Sequence, residues 1–418
     1  MFKFIHAADL HLDSPLQRLE SYEGAPVEAV RRASRRALEN LVDLALDEGV
    51  DFVLLAGDIF DGDWKDYNTG LYFVSLLSRL SEAGIAVFIT AGNHDAAGRM
   101  TRSLPYPPDV HVFSSRNPET RVIESLKVAV HGQSFAAEAV TENLAREYPD
   151  ASAGHFNIGL LHTSLTGRAG HHNYAPCTLD DLGGRGYDYW ALGHVHQFEV
   201  VSRDPPVVFA GCIQGRHIRE TGPKGCVLVT VQDGEDPKIA HCPLDVIRWE
   251  RAVVDLDEAS SVEEALERFR GVAEVLIDSH DPLPVILRVT FGGVSAVHAT
   301  LAADPEHLRQ SVRAVAMAAF GDLAWVEKVE IATVPASRSG PETGPFKELD
   351  AFVAGLLDEE SALADLGEAL SGLMQKLPQE YRHVPEALRT DDAAQMRALV
   401  VQAHALLVQR LKKEAGAP

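Results

Sequence analysis

Five short segments carry side chains able to hold metal ions. In chain order they are Asp9-Leu10-His11, Gly57-Asp58, Gly92-Asn93-His94-Asp95, the single His162, and Gly193-His194-Val195-His196. Carboxylate, amide oxygen and imidazole together favour borderline first-row divalent ions such as manganese, iron or zinc. A carboxylate has two oxygens, so Asp58 could bridge two ions held roughly 3.5–4 Å apart. Such a pair lowers the pKa of a bound water and steadies both oxygens of an in-line displacement at phosphorus. Singly, each of these residues is an ordinary strand-end polar group or core histidine. As a group they share a glycine before Asp58, Asn93 and His194, and glycine lets backbone and ion approach closely.

The elements that must position these residues are strands. Apolar β-like runs at 2–8, 52–56, 85–90, 156–162 and 187–192 each lead into one segment. Open α/β sheets place ligands outside the carboxyl ends of their strands. Apolar residues at helical spacing predict helices over 25–49 and 68–83. The resulting β-α-β-α-β opening implies parallel strands joined by right-handed crossovers. The first helix exposes Arg31, Arg32, Arg35 and Arg36, which read as a solvated face more readily than as a phosphate contact. Arg99 and Arg102 read equally as substrate clasps or solvated loop residues. His171 and His172 in Gly170-His171-His172 read as a flexible surface loop somewhat more readily than as substrate contacts near His162. Residues 110–132 read as β-hairpin pieces, and 163–186 as a glycine-rich loop.

The stretch 214–225 concentrates Arg216, His217, Arg219 and Lys224 in a chain of net charge −23. Arginine forks match phosphate oxygens, so this loop is expected to contact a phosphate-bearing substrate. Its glycines and proline also describe an ordinary turn. The acidic balance repels nucleic acid at long range, so any contact with DNA must be local. Of 418 residues, 46% are hydrophobic, enough for a sizeable core and two or three domains. No long uncharged apolar run predicts a membrane span, and residues 1–8 are too short for a signal segment. Cys177, Cys212, Cys226 and Cys242 show no C-x-x-C spacing and read as free thiols in a reducing, cytoplasmic setting.

Near residue 246 the pattern changes. Strands over 249–256, 285–291 and 325–333 alternate with helices over 262–277 and 305–320, without metal-type motifs. Residues 336–345 read as a linker, followed by two amphipathic helices over 346–376 and 385–413. The expected division is a first domain at 1–245, a small α/β cap at 246–335, and a linker with a helical hairpin at 336–418.

In order and spacing, the five motifs resemble those of the calcineurin-like metallophosphoesterases. The resemblance implies a four-layer α-β-β-α sandwich followed by the cap and the helical tail. It implies that Asp9, His11, Asp58 and His196 hold one metal, and that Asp58, Asn93, His162 and His194 hold the other. It makes His94 the catalytic histidine that protonates or stabilises the leaving oxygen. Asp61 is followed by Gly62-Asp63, where protein phosphatases usually have an arginine, so that class is disfavoured. The domain order resembles the DNA-repair exonucleases of the SbcD type, and the loop 214–225 their YhaO-like bacterial branch. What this implies is a manganese-dependent nuclease acting on DNA, partnered by an SMC-like coiled-coil ATPase through the tail helices, with homodimers common. Two positions depart from the pattern: Asp61, often histidine in archaeal and eukaryotic relatives, and Cys212, more usually asparagine. Two other classes stay open: an enzyme for a small phosphodiester or phosphomonoester, and a partner-recruiting scaffold with a vestigial site.

Overall fold

A computed structural model describes residues 1–14, 26–61, 67–97, 104–167, 173–280, 282–336, 345–374, 376 and 389–414. Arg99, Arg102, His171, His172, Gly62 and Asp63, and most of the expected linker, lie outside these residues. The chain divides into two units. The first is Met1–Arg251 with Leu276–Arg288 and Asp322–Glu327; the second is Ala252–Val275, Val289–Gly321 and Lys328–Pro418.

The first unit is built on two six-stranded sheets. One contains β1 (Phe2–Ala7), β2 (Phe52–Ala56), β3 (Ala86–Thr90), β4 (Val110–Val112), β11 (Gly225–Val231) and β12 (Lys238–Pro243), in the order β12-β11-β1-β2-β3-β4. The other contains β5 (Glu119–Ile123), β6 (Val128–Gly132), β7 (Phe156–His162), β8 (Tyr189–Gly193), β9 (Glu199–Arg203) and β10 (Pro206–Phe209), in the order β5-β6-β7-β8-β10-β9. Strands β1, β2, β3 and β4 pair in parallel, as do β6, β7, β8 and β10.

Alternation along the strands decides what faces what. Phe4, Phe52, Leu54 and Phe88 join Val130, Ile158, Leu160, Tyr189 and Val208 in one core between the sheets. Phe4 and Phe52, paired in register, stack at 5.0 Å. The intervening Ile5, Val53, Leu55, Val87 and Ile89 pack against the helices α1 (Val27–Glu48) and α2 (Tyr67–Glu82). Helix α1 buries Ala33, Ala37, Leu38, Leu41, Val42 and Ala45, the spacing of one helical face, and stops at Gly49 in the left-handed conformation. On the far face of the second sheet, Trp190, Leu192 and Phe209 pack with Leu182 and Tyr148.

Three local features differ from the sequence reading. The span 197–224, given no strand, holds β9 and β10; β10 is fully buried, so it shows no alternation to read. The glycine-rich loop contains the short helix α4 (Leu179–Gly183), set by a capping box in which Asp181 N donates to Thr178 Oγ1 and Thr178 N to Asp181. The helix expected over 346–376 is two, α8 (Pro345–Asp358) and α9 (Glu360–Met374). Glu359 separates them, and its carbonyl accepts from Leu363 N, so an acidic residue sits where the N-terminal dipole of α9 favours it.

The second unit carries α6 (His298–Ala303), α7 (Pro305–Phe320) and most of α5 (Val262–Asp278). Strands β13 (Arg248–Asp255), β14 (Val285–Gly292) and β16 (Ala324–Ile331) form a three-stranded sheet in that order, and β15 (Val294–Ser295) pairs with β17 (Val334–Pro335). In the tail, Leu363 of α9 packs with Met396 and Val400 of α10 (Ala393–Glu414). No helix among the described residues is long and apolar enough to cross a membrane.

Candidate metal centre

The two sheets meet at the carboxyl ends of their strands. Gly193, which ends β8, lies so close to Ala56 O at the end of β2 that a Cβ there would overlap it. His162 at the end of β7 reaches across, with Nδ1 2.9 Å from Ala56 O. Asp9, following β1, accepts at both oxygens from His194 N, at 3.1 and 3.0 Å. The loops after β1 and β2 run on together, with Asp9 N donating to Gly57 O and His11 N to Asp58 O, each at 3.0 Å. Helix α3 (Asn93–Ala97) begins after β3 at Asn93, and His94 N donates to Asp58 Oδ1 at 2.9 Å.

The backbone is held in an unfavourable conformation at four of these positions. Asp9, His11, Asp58 and His194 have φ of 52°, 43°, 53° and 100°. Non-glycine residues avoid this region, and such strain persists only where surrounding structure enforces it, commonly at functional sites. Asp95 supplies part of that enforcement, accepting from Ile59 N, Phe60 N and Gly92 N at 3.1, 2.9 and 3.0 Å.

The side chains converge. Ligand-type atoms of Asp9, His11 and His196 lie within 4.8 Å of one another, as do those of Asp9, Asp58 and His162, and of His11, Asp58 and His94. His11 Nε2 is 3.3 Å from His196 Nε2 and 3.8 Å from Asp58 Oδ2. His162 Nε2 is 3.1 Å from Asn93 Oδ1 and 3.5 Å from Asp58 Oδ2. The His194 ring stands 5.2 Å from that of His162. Asp9, His11, Asp58, Asn93, His162 and His194 are all buried.

This donor set fits divalent ions. Lone-pair atoms crowd together where protons can bridge only some of them. Burial first, then the charge of Asp58, pushes the Asp9 carboxyl well above the usual carboxylate range. Burial pushes Asp58 up to about 6. Burial holds His11 well below its ordinary value, with Arg216 adding to the effect, and His11 Nδ1 has no hydrogen-bond partner. Burial disfavours the charged form of each group, and a bound cation would favour ionised carboxylates and unprotonated imidazoles.

Beside the cluster, His94 is 41% exposed and its Nδ1 is 2.6 Å from Asp61 Oδ1. That hydrogen bond raises the His94 pKa. Burial alone would raise Asp61, but the neighbouring His11 ring, 3.8 Å away, and the hydrogen bond to His94 outweigh it and hold the carboxylate ionised.

The cationic loop divides. Arg216 turns inward, with Nη1 3.5 Å from Asp61 Oδ2 and Nη2 3.3 Å from Glu220 Oε1. His217 is 54% exposed, and Arg219 is exposed. Lys224 is buried, its Nζ donating to Gln197 Oε1 at 3.1 Å, so the phosphate contact expected of it is not available to it in this conformation. Glu220 escaped the sequence reading. It is 4% exposed, with Oε1 2.6 Å from His196 Nδ1. Its signal was its place four residues after Arg216.

A cluster of candidate metal ligands fed by strand ends from two sheets is the arrangement of a metal-dependent phosphoesterase. Residues 2–198 match the Calcineurin-like phosphoesterase family, and residues 249–334 match the middle domain of metallophosphoesterase YhaO. The chain is 34% identical over 416 residues to the uncharacterized metallophosphoesterase YhaO of Bacillus subtilis (strain 168), covering 98% of each. It is 28% identical over 213 residues to the DNA double-strand break repair protein Mre11 of Methanopyrus kandleri, covering 46% of this chain and 44% of that one. It is 28% identical over 141 residues to a component of the nuclease SbcCD of Bacillus subtilis, covering 33% of each. The chain therefore belongs to the calcineurin-like metallophosphoesterases, in their YhaO-like branch. That family uses a dinuclear divalent metal site.

Proposed function

We propose that the chain is a manganese-dependent DNA nuclease of DNA repair, with 1–245 as its nuclease domain, 246–335 as a cap and 336–418 as a partner-binding tail. The observation that carries the metal chemistry is the convergence of five strand-end segments on one buried cluster. Asp9, His11, Asp58 and His196 would hold one ion, and Asp58, Asn93, His162 and His194 the other. When bound, the pair supplies Lewis-acid charge and lowers the pKa of water at the site. His94, partly open to solvent and with its pKa raised by Asp61, delivers a proton to the leaving oxygen. Exposed Arg219 and His217 meet substrate phosphates, and Arg216 stands just behind them.

The DNA reading is supported by the relatives named for DNA double-strand break repair and for a nuclease. The tail leaves Phe352, Leu407 and Leu411 at 68%, 45% and 39% exposure, which suits docking to an SMC-like coiled coil, and a homodimer and a cytoplasmic setting go with that role. A manganese-dependent cleavage assay on blunt, 5′-tailed and 3′-tailed duplexes tests the proposal, with bis-p-nitrophenyl phosphate as the small substrate. Cleavage of DNA sustains it. Turnover of the small diester without DNA cleavage transfers the site to small phosphodiesters, and absence of both makes the chain a scaffold.

A further inference from the structure

Arg216 and Glu220 connect two parts of the site that the sequence keeps far apart. Glu220 Oε1 lies 2.6 Å from His196 Nδ1 and 3.3 Å from Arg216 Nη2. Glu220 Oε2 accepts from Arg216 N at 2.7 Å. Arg216 Nη1 lies 3.5 Å from Asp61 Oδ2 and donates to Ser14 Oγ at 3.3 Å. Asp61 in turn holds His94 Nδ1 at 2.6 Å. An unbroken line, His196–Glu220–Arg216–Asp61–His94, thus runs along one side of the cluster. Glu220 and Arg216 within it sit on a single turn of chain, four residues apart.

Each contact has a directional consequence. A carboxylate on His196 Nδ1 takes that nitrogen's proton as its donor, which leaves Nε2 with a lone pair turned toward His11 Nε2, 3.3 Å away. Carboxylate partners of this kind set the tautomer and ring orientation of metal-binding histidines. The Arg216 guanidinium is a planar fork, and its two ends are already taken up by Asp61 and Glu220. With its side chain 17% exposed, it has little surface left to offer a phosphate.

We propose that Arg216 and Glu220 act together as a positioning brace, Glu220 orienting His196 toward the metals and Arg216 fixing the carboxylate that holds His94. The proposal rests on the metal-centre reading above, and it replaces the expectation that Arg216 is a phosphate contact.

The test uses the full chain stripped of metal, titrated calorimetrically with manganese, alongside steady-state hydrolysis of bis-p-nitrophenyl phosphate. Loss of an outer partner of this type typically weakens metal affinity by about 10–100-fold. Glu220→Gln is expected to weaken manganese binding by that factor and to lower kcat with KM changed less than about twofold. Arg216→Ala is expected to act in the same direction, and the double variant to lose less than the two single losses combined, since both remove one unit. Arg216→Lys, which keeps the charge, should recover part of the loss.

Wild-type manganese affinity in Glu220→Gln overturns the brace. So does an Arg216→Ala variant that raises KM alone, which would make Arg216 a substrate contact. Asp58→Asn separates this from failure of the metal-centre reading: if it too binds manganese normally, that reading falls. If it loses manganese while Glu220→Gln keeps it, only the brace falls. Should Glu220→Gln not fold, Glu220→Asp carries the same test, because a carboxylate shortened by one methylene keeps the charge but loses reach to His196.

Discussion

Alanine at Gly92 should damage the metal centre without removing any ligand. A Cβ at this position would lie 2.8 Å from the backbone nitrogen and 2.9 Å from Cγ of Asp58. Restoring van der Waals contact requires Asp58 to move by at least about 0.5 Å. The carboxylate cannot yield freely, because Asp58 already has φ 53° and its Oδ1 is bonded to His94 N at 2.9 Å. Overpacking of this kind costs about 1–3 kcal/mol of stability. Misplacing a reacting group by about 1 Å costs on the order of 100-fold in rate, so a loss of roughly 10-fold or more in kcat is expected. Manganese affinity should fall with it. Gly84→Ala is the control: Gly84 has φ +76° but open space around its Cβ position. That change should cost about 1 kcal/mol of backbone strain and leave turnover alone. Thermal melts, manganese titration and bis-p-nitrophenyl phosphate hydrolysis read all three quantities. Full turnover and full manganese affinity in Gly92→Ala would refute the reasoning, because Asp58 would then not need its present place.

Other consequences are as specific. His94→Ala should lower kcat by about 10²–10⁴-fold while the chain binds as much manganese as before; a matching loss of metal would make His94 a ligand instead. His6 is fully buried between Tyr189 and Leu192 O, and burial lowers its pKa to about 3. Between that value and about 6.5 the unfolded chain binds more protons than the folded one. Stability from this group is therefore full above about 6.5 and lost as pH falls, by up to about 1.4 kcal/mol per pH unit. Melts of metal-free chain from pH 7.5 to 5 should show a shallower fall in His6→Gln; an unchanged slope would count against it. Met396→Ala removes a side chain 1% exposed in the small core of α9 and α10. It should speed amide exchange in those helices and leave diester hydrolysis unchanged.

The strand ends that carry the candidate ligands were legible because their signals are local. Each pairs an apolar run with a glycine, carboxylate, amide or imidazole, and β1, β2, β3, β7 and β8 all lie within a residue or two of their expected spans. The strained φ at Asp9, His11, Asp58 and His194 was not legible, since it is imposed by contacts between loops distant in sequence. Glu220 and the inward turn of Arg216 were hidden for the same reason. A loop rich in arginine and glycine reads alike whether its cations face solvent or a buried carboxylate. The separation of α8 from α9 was hidden because helical spacing carries on across Glu359. Strand β10 was missed because four buried residues in a row have no period.

The central claim is that two ions are held around Asp58. Diffraction from manganese-soaked crystals at the manganese absorption edge tests it most directly, because anomalous peaks locate the ions themselves. The account predicts two peaks roughly 3.5–4 Å apart. One should touch Asp9, His11 and His196, the other Asn93, His162 and His194, and both should touch Asp58. A single peak, or peaks away from Asp58, would contradict it.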